Sequence, residues 1–120
     1  FGLLREVCER GMDTLSQLEK EGAVQRFEVA FELAWKTLKD YLQASGIVIK
    51  PVTPRNVFKE AFTAGLLDDA QVWIDMILHR NLLTHTYDIK TFEAVLRAVE
   101  ADYYPVFERL HAMFQEKAGQ

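Results

Sequence analysis

The chain has 120 residues, 49% of them hydrophobic and 27% charged. That is one ordinary domain with apolar material enough for a core and no need of disulfide or metal staples. Its single cysteine, Cys8, excludes an internal disulfide and any multi-cysteine zinc or iron–sulfur centre, and the net charge of −4 argues against a general nucleic-acid coat while leaving room for a local basic groove. No run reaches the about 18 apolar residues of a membrane span and no signal-peptide pattern opens the chain. The expectation is a soluble, cytoplasmic single domain over residues 1–120; because it opens on Phe1 rather than Met, its native start is expected to lie further upstream.

In chain order, Leu4, Val7, Cys8, Gly11, Leu15 and Leu18 recur every three or four residues and predict a first helix over 3–19. The stripe Phe27, Phe31, Ala34, Trp35, Leu38, Tyr41 and Leu42 predicts a second over 24–44. Glu28, Glu32, Lys36 and Asp40 fall on another face, with Glu32 and Lys36 forming a favourable i,i+4 pair. Gly46 is a natural stop. The apolar segment 47–52 has no partner strand in the sequence and reads as a packed loop. Thr53 before Pro54 is an N-cap with proline at the first helical position, opening a short third helix over 54–64. Val57, Phe58, Ala61 and Phe62 are expected inward there, and Gly65 ends it.

Asp68 with Gln71 reads as a capping box for a fourth helix from about 69 to near His85, with Trp73, Met76, Ile77, Arg80 and Leu83 on one stripe. Asp88 caps a fifth, running to about 115 through Phe92, Leu96, Val99, Tyr103, Val106, Phe107, Leu110 and Phe114, with a kink at Pro105. The fold class that follows is all-α: an up-and-down four-helix bundle with one additional short helix.

Chemistry concentrates on the fourth helix. Arg80 stands on an apolar stripe where leucine is expected, and a buried arginine needs a partner. One reading is a salt bridge to a carboxylate in the bundle or a place at its rim; the other is an anion site, since guanidinium offers a planar fork of donors suited to phosphate. His85 follows five residues later, roughly 140° around an unbroken helix. The two meet only if the helix ends between them or a second copy completes the site. Asn81 and Tyr87 add an amide and a phenol. Elsewhere, His79 is expected to be solvated, His111 to sit at a surface or rim, Tyr103 and Tyr104 to pack, Trp35 and Trp73 to anchor the core, and Cys8 to act as a small buried hydrophobe. The carboxylates do not cluster with the histidines, so neither a metal nor a cofactor is expected.

The stretch holding Trp73, Met76, Arg80, Asn81, His85 and Tyr87 resembles the signature of HEPN-domain proteins in its R-x4-H-x-Y form. The run from Arg26 to Leu42 resembles the second helix of one HEPN branch, the nucleotidyltransferase substrate-binding proteins that include the HepT toxins. The resemblance covers most of the chain. It implies a homodimer that brings two Arg/His pairs into one cleft, partnered with a separately encoded minimal nucleotidyltransferase (MNT, MntA-like). In toxin members of type VII-like toxin–antitoxin pairs it implies a metal-independent endoribonuclease. Carried over, Arg80 would stabilise charge on the scissile phosphate and His85 would act as general base or acid. Asn81 would orient the phosphate or a side chain, and Tyr87 would be the tyrosine silenced by AMP addition. The alternative for the same branch is a non-catalytic subunit that binds a substrate or nucleotide for the transferase. A third reading is a structural dimer whose polar cluster is an interface network.

Overall fold

A computed structural model describes residues 5, 8, 9, 11, 15–85 and 88–119, position 85 by its backbone alone. The described residues form helices joined by short connections, with no strand among them. Arg5, Cys8 and Glu9 are helical and precede α1 (Gln17–Ala44), α2 (Pro54–Thr63), α3 (Ala70–His85) and α4 (Ile89–Ala98); a π-helical turn, Val99–Tyr103, then leads into α5 (Tyr104–Ala118). The expected all-α bundle with one additional short helix, α2, is the fold observed.

The boundary between the first two helices differs from expectation. Ser16 caps α1, its hydroxyl accepting from the Glu19 N–H at 3.2 Å while Glu19 Oε1 accepts from the Ser16 N–H at 3.0 Å. That reciprocal box satisfies two orphan donors and starts α1 seven residues earlier than the apolar stripe suggests. Gly11, at a φ of 86°, stands in the left-handed region, and its N–H donates to the Cys8 carbonyl. The first helix therefore does not run through to 19; of its expected stripe, Leu4 and Val7 lie outside the described residues. Leu15 is buried as expected, whereas Leu18 is 78% exposed because it belongs to the solvent face of α1.

The segment 47–52 is a loop, as expected, pinned by buried Ile49 and by the Asn56 amide donating to the Pro51 carbonyl at 2.9 Å. Thr53 caps α2, accepting from the Asn56 N–H. Val57, Phe58 and Ala61 point inward, but Phe62 is about half exposed, off the edge of the buried stripe. At the start of α3 the capping carboxylate is Asp69, which accepts from the Gln71 N–H; Gln71 turns its own amide to Asp75. The box expected at Asp68 does not form, and a single carboxylate cap one residue later takes its place.

The expected fifth helix is one continuous path in three parts. Pro105 cannot donate to a carbonyl four residues back, and its ring crowds that turn. The chain widens instead: the Tyr104 N–H donates to the Val99 carbonyl, five residues back. A π turn thereby takes the place of a simple kink, and the helix continues to Ala118.

α1 packs against α2, α4 and α5, and α3 against α2, α4 and the π turn. Aromatic rings hold the centre: Phe58 lies 5.1 Å from Trp73, Trp73 5.5 Å from Phe107, Phe27 5.7 Å from Tyr103, and Phe31 5.9 Å from Phe58. Such pairs add to their area burial when tilted or offset, as these are. No helix among the described residues is long and apolar enough to cross a membrane.

Candidate active site

Arg80 emerges at the edge of this core. Its neighbours on the α3 stripe, Trp73, Met76 and Leu83, are buried, and its guanidinium lies over the Phe31 ring, 5.4 Å from the centroid. The Nη2 group reaches across to α1 and donates to Glu32 Oε1 at 2.6 Å, while Nη1 donates to Asn81 Oδ1 at 3.3 Å. The pair is partly open, with side chains 31% and 34% exposed. Arg80 is therefore at a rim and paired with a carboxylate, as one of the two sequence readings has it, and its fork is oriented where solvent still reaches.

Glu32 is the residue the sequence pattern misses. Grouped with Glu28, Lys36 and Asp40, it looks like part of a solvated face. It actually borders the apolar stripe, next to Phe31 and one turn before Trp35, and its second oxygen accepts from Trp35 Nε1 at 3.1 Å. Lys36 stands 3.5 Å away, realising the i,i+4 pair. Burial alone pushes the Glu32 carboxyl up. The hydrogen bonds from Arg80 and Trp35, with the charges of Arg80 and Lys36, outweigh it and hold the group below its usual range. The only hint in the sequence is its place between two stripe aromatics.

Asn81 is exposed, and its carbonyl accepts from the Thr84 hydroxyl at 2.7 Å, which steadies the last turns of α3. The helix continues through His85. Positions 80 and 85 therefore stand on different faces, roughly 140° apart, and the helix does not end between them. Tyr87 lies outside the described residues.

Other candidates sort differently from expectation. His79 is not solvated: its Nδ1 shares a 2.5 Å hydrogen bond with the Tyr103 phenol, whose ring is buried. Burial, then the charges of Asp75 and Asp102, raises the Tyr103 phenol well above its ordinary value, so it stays neutral. Trp73 is a core anchor, but Trp35 is only partly buried. Cys8 packs against the core, and burial followed by the charges of Glu100, Glu108 and Glu9 pushes its thiol up to about 11, which suits the inert role expected of it. A groove of about 750 Å³ between α3 and the π turn is lined by Asp75, His79, Leu82, Asp102 and Arg109, and Arg80 is not part of it.

Comparison with known proteins identifies the family and the fold. The family model described as nucleotidyltransferase substrate binding protein like matches residues 1–116. A protein of Haemophilus influenzae named probable ribonuclease HepT is 32% identical over 82 residues, 66% of this chain and 56% of that protein, so the match spans little more than half the relative's length. A crystal structure of a protein from Thermus thermophilus superimposes with a TM-score of 0.82 at 31% identity, covering 93% of this chain and 92% of the other. The chain belongs to the nucleotidyltransferase substrate-binding-protein-like family and is a HepT-like, HEPN-type protein.

Proposed function

We propose that this protein is a metal-independent endoribonuclease toxin that works as a homodimer with a minimal nucleotidyltransferase (MntA-like) as its partner, in a type VII-like toxin–antitoxin pair. The observation that carries the reading is the Arg80 fork, clamped by Glu32 and Asn81 at the rim of the core and five residues before His85. A fixed guanidinium beside a phosphate stabilises charge that develops in the transition state without reorganising. In RNA the nucleophile is already present. One His85 takes the proton from a ribose 2′-hydroxyl, the 2′-oxygen attacks the adjacent phosphorus, and the P–O5′ bond breaks. A second imidazolium then protonates the leaving 5′-oxygen. Because positions 80 and 85 face apart within one chain, a second copy supplies the complementary group. Tyr87 is the acceptor of AMP from the transferase, and the added phosphate closes the cleft by bulk and repulsion. The protein acts in the cytoplasm.

The Glu32 contact favours a second reading. A carboxylate already occupies the Arg80 fork at 2.6 Å, and the chain carries a net charge of −4, both unfavourable to a polyanion. On this account the protein is a non-catalytic subunit that presents a nucleotide or other substrate to the transferase.

Cleavage of labelled RNA in EDTA by the purified protein, beside Arg80→Ala and His85→Ala, separates the two. Cleavage that survives chelation and vanishes in both variants supports the ribonuclease. A folded dimer with no cleavage above the variants overturns it and leaves the binding subunit.

A further inference from the structure

The two tryptophans look alike in the sequence and differ in the fold. Trp73 is 2% exposed at the centre of the aromatic core, whereas Trp35 sits partly buried on α1 with its polar edge tied to Glu32. The Nζ atoms of Lys36 and Lys39 each lie 6.0 Å from the Trp35 ring centroid. That distance is the outer limit of a useful cation–π contact. Among the described residues, both lysines are otherwise engaged in surface ion pairs at 3.5 Å, with Glu32 and Asp40, which are weak and readily exchanged. The Glu32 carboxylate bridges the Trp35 N–H and the Arg80 fork.

From this arrangement we infer that Trp35 is a nucleobase-stacking platform, with Lys36 and Lys39 as its phosphate contacts, placed so that a nucleotide of single-stranded RNA stacks beside the phosphate held by Arg80. An aromatic face with flanking cations is the combination that binds single strands with little sequence preference, since every base has a π-face. It also places two cations beside one ring on an acidic chain: Lys36 and Lys39 flank Trp35, and Arg80 is joined to it through Glu32. The inference rests on the ribonuclease reading for its substrate; the shared chemistry, a base next to a phosphate, would also fit a free nucleotide.

The test uses His85→Ala protein, to prevent turnover, with fluorescein-labelled 12-mers of oligoadenylate and oligouridylate, and AMP as the free-nucleotide arm. Trp35→Leu is expected to weaken binding of both 12-mers about tenfold. Trp35→Phe, which keeps an aromatic face but loses the N–H to Glu32, is expected to retain most of the binding that Trp35→Leu loses. Lys36→Gln with Lys39→Gln should weaken binding and flatten its salt dependence. Unlabelled 12-mer should quench tryptophan emission of the parent chain and not of Trp35→Phe, because Trp73 is buried; this readout stands even if Trp35→Leu fails to fold. Equal loss in Trp35→Leu and Trp35→Phe would overturn stacking in favour of the Glu32 hydrogen bond. Saturation by AMP with no gain for the 12-mers would overturn the RNA assignment. Cleavage by the wild-type protein whose KM is unchanged in Trp35→Leu sinks the platform and spares the ribonuclease, whereas Trp35-dependent binding without cleavage does the reverse.

Discussion

Arg80 on α3 and Glu32 on α1 meet at 2.6 Å although 48 residues separate them. The contact ties α1 to α3 and fixes the direction of the one cation on the α3 stripe. Its dependence on pH follows from the Glu32 carboxyl, which is held below its ordinary value of 4.5. A lowered carboxyl stabilises the fold above the unfolded pKa, and that contribution fades as pH falls through the folded one. Thermal melts of wild type and Glu32→Gln should therefore differ at pH 7 and draw together as pH falls below 4.5. A difference that persists or grows in acid would mean that the charge is not what the pair contributes. The gap should be small, because both side chains are about a third exposed.

Phe31 is fully buried between Phe27 and Phe58 and carries Arg80 on its ring. Phe31→Ala should destabilise the protein by about 3–5 kcal/mol, the range for emptying an aromatic site in a packed core. Phe62, 49% exposed on α2, should lose no more than about 1 kcal/mol on the same change. Urea titrations of the two variants give the comparison, and equal losses would contradict the placement of Phe62 outside the core.

The Tyr103 hydroxyl serves mainly to satisfy half-buried His79. Tyr103→Phe keeps the ring against Phe27 and removes that partner, for a loss of about 1 kcal/mol and a drop in Tm of about 4 °C. An unchanged Tm would place His79 against solvent after all.

If Tyr87 accepts AMP, co-expression with the cognate transferase should add one or more adenylate masses to the intact protein, and none to Tyr87→Phe. Unmodified mass beside an active transferase, or the same adduct on Tyr87→Phe, would remove Tyr87 from the mechanism. Purified protein running as a monomer at micromolar concentration would undermine the shared cleft itself.

The helix periods after residue 19, Thr53 before Pro54, the stop at Gly65 and the Asp88 cap are local signals, and each leads to an element the fold contains. The Ser16–Glu19 box and the Asp69 cap are equally local and are hidden by stronger apolar patterns beside them. The π turn is half legible: Pro105 announces that a hydrogen bond must fail, but not whether the helix bends or widens. The stripe that holds Arg80, the family resemblance and the spacing from Arg80 to His85 are all properties of the sequence alone. Which carboxylate answers Arg80, that His79 finds Tyr103, and that Trp35 reaches the surface while Trp73 does not were decided only by tertiary structure. Helical periodicity ranks side chains around one axis; the partner across the gap depends on how two axes pack, and that follows from the shape of the whole core.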